Sequence, residues 1–392
     1  MMKKINYIAP FNKTGYGVAS IGYLKGLIAN KQDLNLTVIG SIPENDQEFN
    51  KPEINSLLSY KKQPNFEDAS FIFWHLFDIN NQASAFKGPK VGFTTFEIDT
   101  LRPIEIETLN KLDLIGTASN WGKSILSKYI SADKIFVAPH AFKETINQTL
   151  NPIVPDYPAH VKLWKQIINP THIEENTLIL STAGKYESRK GHLELIKACM
   201  KYGETDPILL TTFIYNPFIT HNFPYGDINN LFLEPVYTNS GIKVFRYKKF
   251  LLVLMPPTNS RLELHGALSK AHYFVAPSKA EGWNLPLFEM MSYGMPAIAT
   301  TCTGHSEFCT NDNVIPINTS SMEIAKDNKF FDGTGNWYSV TPEAILESIY
   351  KAKARLLDNS ITALASKAAE TCGNFSWQKS AKLIMEAMSR VS

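Results

Sequence analysis

The chain has 392 residues, of which 44% are hydrophobic and 19% are charged, and its net charge is +2. This length predicts two domains of ordinary size, and the composition supplies enough apolar material for two cores. A net charge so near zero argues against a global field that draws the chain onto nucleic acid or anionic lipid.

The first half of the chain alternates short apolar runs with helical patterns, which indicates a parallel sheet with connecting helices. A first strand at 5–9 is followed by a loop at 10–17 and a helix at 18–28. Gly15 and Gly17 let the loop backbone approach a ligand closely, beside the positive end of the helix. Further predicted elements are strands at 34–39, 71–74, 91–96, 114–118 and 135–138, and helices at 103–111 and 121–129.

The second half begins with a strand at 177–183, a turn from Gly184 to Gly191 and a helix at 192–201. Lys185 and Lys190 in this turn offer positive charge, and the helix start offers backbone N–H donors, as a diphosphate requires. A basic, solvated turn is the alternative explanation. The next predicted elements are strands at 207–213 and 250–255 and a helix at 260–271, with a peripheral, irregular insertion at 221–249.

The stretch at 273–300 combines a buried strand, a loop, a helix and a second buried strand. Pro286 suits the first turn of the helix, which Gly294 ends. Glu281 lies in the loop and Glu289 in the helix, with seven residues between them, so both can point toward one crevice. Such a loop lies where open α/β sheets bind ligands, at the carboxyl end of a strand and beside a helix N-terminus.

Residues 277–296 of this stretch read P-S-K-A-E-G-W-N-L-P-L-F-E-M-M-S-Y-G-M-P. They resemble the E-x7-E region of retaining glycosyltransferases of family 4, which have the GT-B fold. Every letter of the pattern P-S-x-x-E-G-x-x-L-P-x-x-E-x-x-x-x-G-x-P is present. The resemblance covers most of the chain. It implies two Rossmann-like α/β domains that face each other across a cleft, and a C-terminal helix, opened by Phe375-Ser-Trp377, that crosses back to the first domain.

The predicted organisation follows from that resemblance and from residues 151–176, which contain four prolines and no strand pattern. A short helix at 160–168 is expected within this proline-rich region. The predicted parts are an N-terminal, acceptor-side domain at 1–160, a linker at 161–176, a nucleotide-sugar-binding domain at 177–375 and the crossover helix at 376–392.

The resemblance also implies which residues bind the donor. Lys190 matches the lysine of the family's Gly-Arg…Lys-Gly pattern, and Lys185 takes the place of the arginine, so that Arg189 is an alternative partner of the diphosphate. Glu289 would accept hydrogen bonds from the ribose, and Glu281 from the donor sugar. The other implied donor-binding residues are Gly15, Gly17, Gly282, Trp283, Asn284 and Leu285.

Three positions depart from the family pattern. Asn284 stands where the family often has glycine, so its side chain is expected to narrow or retune the sugar pocket. Ala141 replaces a glycine that often follows Pro-His or Pro-Asn, and His140 is expected to pack in a loop rather than to catalyse. Glu97 ends the segment Thr-Phe-Glu, where many relatives have Thr-Phe-His with the histidine near the reacting carbon.

A carboxylate at position 97 can bind a donor-sugar hydroxyl, orient the acceptor hydroxyl or stabilise positive charge on the sugar ring. The alternative is that Glu97 caps the following helix together with Asp99. The predicted catalytic residues are Glu97, Lys190 and Glu281.

These residues predict a retaining glycosyltransferase that moves a sugar from a UDP- or GDP-sugar to an acceptor hydroxyl, with a glycan or lipid-linked glycan favoured as the acceptor. Electrostatic stabilisation of the departing diphosphate would be the main catalytic contribution. We expect no cofactor and no required metal, because no Asp-x-Asp site follows the predicted strands and lysines with helix dipoles can replace a cation. The alternatives are a non-catalytic nucleotide-sugar-binding protein, a transferase acting on a nucleic-acid base, and a hydrolase. The predicted phosphate site argues against the hydrolase, because glycoside hydrolysis does not require one.

The four cysteines, Cys199, Cys302, Cys309 and Cys372, form no C-x-x-C pair and no zinc-like spacing, so reduced thiols are expected. The first apolar run is too short for a signal peptide, and no segment approaches the ~20 apolar residues of a membrane helix. The sequence therefore predicts a cytoplasmic protein with at most peripheral contact with the inner membrane face, and no stable nucleic-acid complex.

Overall fold

The computed structural model describes residues 4–42, 52–150, 157–168, 173–215, 227–228, 230–231, 233–327 and 330–391. The chain divides into two compact units. Unit 1 consists of Met1–Thr149, Glu281–Leu285 and Gly373–Ser392, and unit 2 consists of Leu150–Ala280 and Pro286–Cys372. The short piece at 281–285 is the loop that carries the first glutamate of the family-like pattern.

Unit 1 is a parallel sheet with connecting helices. Its strands are β1 (Ile5–Pro10), β2 (Leu34–Ile39), β3 (Ser70–Phe73), β4 (Lys90–Thr94), β5 (Leu114–Thr117) and β6 (Ile135–Val137). They pair in the order β2-β1-β3-β4-β5-β6, and every pair is parallel. The helices before residue 150 are α1 (Gly15–Ala29), α2 (Pro52–Leu58), α3 (Ile79–Gln82), α4 (Pro103–Asn110) and α5 (Asn120–Leu126).

The central strands β1 and β3 of unit 1 are buried on both faces. All six residues of β1 and all four of β3 are buried. This is the pattern expected of a parallel sheet, whose strands are near-continuous apolar runs. Unit 2 contains the helix α6 (Tyr157–Ile167), which starts three residues before the predicted short helix at 160–168.

Unit 2 is built on a second, larger sheet. Its strands are β7 (Leu178–Lys185), β8 (Ile208–Tyr215), β9 (Glu234–Asn239), β10 (Ile242–Tyr247), β11 (Phe250–Leu254), β12 (Tyr273–Ala276), β13 (Ala297–Thr300) and β14 (Ile315–Ile317). Their order is β14-β13-β12-β7-β8-β11-β10-β9. The helices of this unit that follow β7 are α7 (His192–Tyr202), α8 (Arg261–Leu268), α9 (Leu285–Ser292), α10 (Pro342–Leu357) and α11 (Ile361–Gly373).

The predicted irregular insertion at 221–249 is wrong for the residues described there. Strands β9 and β10 form an antiparallel hairpin that extends the sheet next to β11. The hairpin was missed because Tyr237, Arg246 and their neighbours are only half buried, so no continuous apolar run marks it. Residues 216–226, which also fall in the predicted insertion or beside it, lie outside the described residues.

A second hairpin was not predicted. It consists of β15 (Met322–Lys326) and β16 (Asp332–Tyr338), which pair antiparallel with an irregularity near Ile324. Its strands alternate poorly between apolar and polar residues, which explains why the sequence gave no strand signal there.

The last helix, α12 (Trp377–Ser389), belongs to unit 1 and packs along α1. Ser376 caps it by accepting a hydrogen bond from the backbone N–H of Lys379. A Cβ atom at Gly22 would overlap the indole of Trp377, and a Cβ atom at Gly26 would overlap the backbone of Trp377. The two glycines of α1 therefore allow α12 to pack this closely. The predicted crossover helix is confirmed.

The fold class predicted from the sequence is also confirmed, since each unit has a parallel α/β sheet, which in unit 2 is extended by the antiparallel strands β10 and β9. None of the helices in the described part of the chain is both long and apolar enough to cross a membrane.

Candidate functional site

The lysine-bearing turn of unit 2 follows the carboxyl end of β7, where open α/β sheets bind ligands. Ser188–Lys190 form one 3₁₀ turn, and Gly191 adopts a left-handed φ of 67° before α7 begins. A Cβ atom at Gly191 would overlap the backbone carbonyl of Pro277, so only glycine lets the turn press against the family-like segment. The turn therefore packs against Pro277, in the part of that segment that belongs to unit 2.

Glu187 is the buried centre of this turn. One of its carboxylate oxygens lies 2.7 Å from Nζ of Lys185, and the other lies 2.7 Å from the guanidinium of Arg189. Burial raises the pKa of Glu187, but the charges of Arg189 and Lys185 outweigh burial, so its pKa is lowered. The carboxylate thus fixes both cations on the turn.

Arg189 and Lys185 occupy different environments. The side chain of Arg189 is 1% exposed, and its guanidinium donates a 2.9 Å hydrogen bond to the carbonyl of Ala280. The side chain of Lys185 is 36% exposed, and that of Lys190 is half buried. The accessible positive charge of the turn is therefore carried by lysine, whereas Arg189 anchors the backbone just before Glu281.

Lys279 is a structural contact that sequence reasoning did not single out. Its Nζ atom lies 2.8 Å from Glu194 at the start of α7 and 2.8 Å from Glu323 on β15. Burial lowers the pKa of Lys279, but the two carboxylates more than offset burial and raise it. The two acidic partners of Lys279 come from separate elements and form no local sequence pattern, so these ion pairs can be recognised only in the folded structure.

Glu289 lies in α9 with a side chain that is 2% exposed. Arg261 forms an ion pair with one carboxylate oxygen, and Nε2 of His265 lies 2.6 Å from the other. Burial, followed by the charge of Arg261, lowers the pKa of His265 to about 3. The neutral ring therefore donates its Nε2–H to Glu289, and both partners, which come from α8, were missed from the sequence.

The loop Glu281–Leu285 forms part of unit 1. A Cβ atom at Gly282 would lie 2.7 Å from Cβ of Thr95, so glycine allows the loop to pack against the residues that follow β4. The amide of Asn284 donates a 3.2 Å hydrogen bond to the carboxylate of Glu281, which is 3% exposed.

Asn284 has a φ of 78°. This left-handed conformation favours glycine and is tolerated best by Asn and Asp among other residues. The backbone at this position therefore suits glycine or asparagine, and the Asn284 side chain holds the carboxylate of Glu281. Trp283 packs edge-on against His140 at 5.8 Å and against Phe375 at 5.6 Å.

Glu97 follows β4, three residues after the strand ends at Thr94. Next to it, the hydroxyl of Tyr16 lies 3.1 Å from the hydroxyl of Thr94 and accepts a 3.4 Å hydrogen bond from the backbone of Thr95. Burial raises the pKa of Tyr16, and the charge of Glu97 contributes in the same direction.

The alternative role of Glu97 was to cap the following helix with Asp99. That helix, α4, receives its cap from Glu105, whose carboxylate accepts a 2.8 Å hydrogen bond from the backbone N–H of Arg102.

The predicted loop at 10–17 is too long. Helix α1 begins at Gly15, so Gly15 and Gly17 lie in its first turn. A Cβ atom at Gly17 would overlap the backbone of Asn12, whereas one at Gly15 would meet nothing within 4 Å. The helix start was not predicted because glycine has low helix propensity. Gly17 is needed because the backbone of the preceding turn passes too close to it for a side chain.

His140 is a packing residue, as expected. It is buried, its Nδ1 lies 2.8 Å from the hydroxyl of Tyr23, and its ring contacts Trp283 and Trp377 edge-on or tilted. Burial lowers the pKa of His140 to about 3. Among the described residues, no group of three or more His, Cys, Asp and Glu side chains could hold a metal ion.

Comparison with known proteins places these features in a known fold. Residues 257–327, which include Arg261, His265 and the whole family-like segment, match the family model described as glycosyl transferases group 1. No curated protein matches the sequence.

Solved glycosyltransferase structures superpose on nearly the whole chain. A glycosyltransferase from Rickettsia africae is 15% identical with a TM-score of 0.63, over 100% of this chain and 98% of its own. Anabaena HepE in complex with UDP and glucose is 14% identical with a TM-score of 0.59, over 99% and 100%. Sucrose-phosphate synthase from Thermosynechococcus elongatus is 13% identical with a TM-score of 0.60, over 99% and 98%. The chain has the GT-B fold of these proteins.

Proposed function

We propose that this chain is a metal-independent, retaining glycosyltransferase that transfers a sugar from a nucleoside diphosphate sugar to an acceptor hydroxyl. One observation carries the proposal. The family-like segment and the lysine-bearing turn are held together by Gly191 against Pro277 and by Arg189 against Ala280, at the carboxyl end of a parallel sheet. The turn thus packs against residues 277–280, the part of the family-like segment that belongs to unit 2.

Lys190 and Lys185 supply the positive charge for the diphosphate, with N–H donors at the start of α7. Glu289 is the ribose ligand. A carboxylate oxygen has two lone pairs, so the partners Arg261 and His265 leave capacity for ribose hydroxyls while fixing the orientation of the group. Arg189 is buried on Ala280, which favours the lysines as diphosphate ligands.

In the proposed reaction, the bond from the anomeric carbon to the diphosphate oxygen breaks and the acceptor oxygen bonds to the same face of that carbon. The hydroxyl proton passes to the departing diphosphate. The lysines stabilise the charge that develops on the leaving group, which is the main catalytic contribution. Glu281 binds donor-sugar hydroxyls, and Glu97 stabilises the transition state. A glycan or lipid-linked glycan is the favoured acceptor.

The resemblance, the match over 257–327 and the fold of the solved relatives support this proposal. Anabaena HepE was solved with UDP and glucose, which favours a UDP-sugar as the first donor to try. The test is to incubate the protein with UDP-, GDP- and ADP-sugars, with and without oligosaccharide acceptors, and to measure released nucleotide. The anomeric coupling of the product, read by NMR, tests retention.

We expect nucleotide release that rises with acceptor and is unchanged by excess EDTA. Nucleotide binding without turnover on any donor would identify a binding protein instead. A product of inverted configuration would refute retention, and a rate abolished by EDTA would refute the metal-free mechanism.

A further inference from the structure

A buried carboxylate lies inside the lysine-bearing turn that is proposed to hold the diphosphate. Glu187 is the one acidic residue of the turn at 184–191, which also carries Lys185, Arg189 and Lys190. Its side chain is 3% exposed, so solvent ions screen its charge much less than they screen a surface charge. A negative charge at this place opposes the binding of an anion, and the proposed function gives it no role toward the ligand.

Glu187 is held at both oxygens of its carboxylate. The distances from these oxygens to Nζ of Lys185 and to the guanidinium of Arg189 are both 2.7 Å. Arg189 is 1% exposed and donates a 2.9 Å hydrogen bond to the carbonyl of Ala280. If the carboxylate turned away, it would leave a buried guanidinium without its counter-charge, which is costly. Glu187 therefore stays beside Lys185 when a ligand arrives.

The position of Lys185 determines how closely a diphosphate approaches Glu187. An ammonium group has three N–H donors, so Lys185 can hold Glu187 and a phosphate oxygen at the same time. A phosphate oxygen about 2.8 Å from Nζ would lie at most about 5.5 Å from the carboxylate oxygen, which is itself 2.7 Å from Nζ. Charges at this separation repel each other appreciably, even at the high effective dielectric constant near a protein surface.

Both lysines proposed as diphosphate ligands act on this carboxylate. Burial raises the pKa of Glu187, but the charges of Arg189, Lys185 and Lys190 lower it below its ordinary value. Glu187 is therefore ionised at neutral pH. The lysines that attract the diphosphate thus already have a fixed anion among them, and this anion reduces the attraction that a ligand experiences.

The donor and the released nucleotide differ in charge. In a nucleotide sugar, each phosphate of the diphosphate carries one negative charge, because the terminal phosphate is esterified to the sugar. In the released nucleoside diphosphate, the terminal phosphate can lose a second proton with a pKa near 6, so it carries about one more negative charge at neutral pH. A fixed carboxylate within about 5.5 Å therefore repels the product more strongly than it repels the donor.

We propose that Glu187 is an internal counter-ion that weakens the binding of the released nucleoside diphosphate and so promotes its departure after sugar transfer. The inference rests on the proposed function, because it takes Lys185 as a ligand of the diphosphate. Removal of the Glu187 charge should strengthen product binding. A residue that only braces the turn would have the opposite effect, since its loss would disorder the lysines and weaken binding.

The test is calorimetric titration of the full chain with uridine, UDP and UDP-glucose, and with guanosine, GDP and GDP-mannose as a second set. Glu187→Gln removes the charge and keeps an oxygen that can accept a hydrogen bond from Arg189, whereas Glu187→Asp keeps the charge. Glu204→Gln is the matched control. Glu204 also pairs with two cations, Lys201 and Lys248, but follows the C-terminal end of α7.

Glu187→Gln should bind the nucleoside diphosphate roughly three- to thirtyfold more tightly than the wild type, the scale for one charge at this separation. The gain should be smaller for the nucleotide sugar and absent for the nucleoside. The inhibition constant of the nucleoside diphosphate in the transfer reaction should fall by the same factor. Glu187→Asp and Glu204→Gln should show no gain in affinity.

Circular dichroism establishes whether Glu187→Gln is folded. If it is not, the double variant Glu187→Met, Arg189→Met replaces the buried pair by apolar side chains, a change that proteins often tolerate. The double variant should bind the nucleoside diphosphate at least as tightly as the wild type, because the carboxylate next to Lys185 is gone. Weaker binding by the double variant would contradict the inference.

The inference is overturned if folded Glu187→Gln binds the nucleoside diphosphate no more tightly than the wild type. A gain of equal size for the nucleoside, or an equal gain in Glu204→Gln, also overturns it. The nucleotide titrations of the wild type separate this failure from that of the proposed function. Wild-type binding with no gain in Glu187→Gln refutes the role of Glu187 alone, whereas a wild type that binds no nucleotide of either set refutes the donor site itself.

Discussion

The Nε2 atom of His265 lies 2.6 Å from a carboxylate oxygen of Glu289, and Arg261 pairs with the other oxygen. Both partners stand on α8, one helical turn apart, and both point at a single buried acid on α9. A charge buried in this way is costly unless it is paired and hydrogen-bonded, so the pairing explains how the second glutamate of the motif is maintained inside unit 2.

Replacing Glu289 by Gln keeps the shape of the side chain and removes its charge. We expect the affinity for UDP to fall by about tenfold or more, because hydrogen bonds to a charged group contribute roughly 1.5–3 kcal/mol. Calorimetric titration with UDP measures the effect. Glu347→Gln, an exposed residue of α10 that pairs with Lys351, is the charge-matched control. Unchanged UDP affinity in a folded Glu289→Gln protein would exclude the ribose role.

Replacing Lys190 by Ala removes a positive charge from the turn after β7. We expect turnover to fall by roughly 10²–10³-fold, the scale for losing one group that stabilises transition-state charge. Initial rates of nucleotide release measure it. Lys197→Ala, on the exposed face of α7, should retain full turnover. A loss of turnover of tenfold or less would indicate that Lys185, rather than Lys190, is the diphosphate ligand.

Replacing Glu97 by Gln tests the carboxylate at the end of β4. Because its proposed role is in the transition state, we expect a large loss of kcat with the donor affinity within a few-fold of the wild type. Rates and calorimetry on the same preparation give both values. Glu107→Gln, on exposed α4, controls for charge. Normal turnover with a lowered Tm would leave Glu97 with a structural role only.

His140 makes unit 1 sensitive to acid. Burial lowers its folded pKa to about 3, below the ordinary value of 6.5, so the unfolded chain takes up a proton first as the pH falls. The stability contribution is complete above about pH 6.5 and is lost progressively toward pH 3. When the pH falls from 7.5 to 5.5, protonation of this one group in the unfolded chain lowers the free energy of unfolding by about 1.4 kcal/mol.

The corresponding variant is His140→Gln, studied by urea unfolding with tryptophan fluorescence at pH 7.5 and 5.5. The wild type should lose about 1.4 kcal/mol more than the variant over this interval. Some pH dependence should remain in the variant, because burial also lowers the pKa of His265 in unit 2. An identical pH dependence of both proteins would show that His140 is not buried as a neutral ring.

Gly22→Ala tests the contact between α1 and α12. A methyl group there would overlap the indole of Trp377, so we expect a loss of roughly 1–3 kcal/mol or more in unfolding free energy. Gly15→Ala, in the same helix but with open space around it, should be neutral or slightly stabilising. Denaturant unfolding measures both, and equal effects would contradict the packing described for Trp377.

Much of the fold can be predicted from the sequence because buried parallel strands are continuous apolar runs. Strand β2 has the predicted bounds, 34–39, and α7 begins at the predicted residue 192. The failures have local causes. The hairpins β9–β10 and β15–β16 are half-exposed and lack clear alternation, and α1 begins at Gly15, a residue that usually marks a loop.

The candidate site shows the same division. Glu281, Glu289 and the lysine-bearing turn are predicted from the family resemblance and from their places at the carboxyl ends of predicted strands. The partners of Glu289 are not, since Arg261 and His265 lie on the preceding helix and meet the acid only in three dimensions. Glu281, Glu97 and the other donor-site residues keep the roles proposed for them until the variants are measured.

Unit 1 is completed by α12, whose residues are translated after all of unit 2. During synthesis, the groove on α1 formed by Gly22 and Gly26 stays uncovered while more than two hundred intervening residues emerge, since α12 begins only at Trp377. Unit 2 has its whole sequence available by residue 372 and can fold first. The last helix of unit 1 therefore becomes available only after every residue of unit 2 has been synthesised.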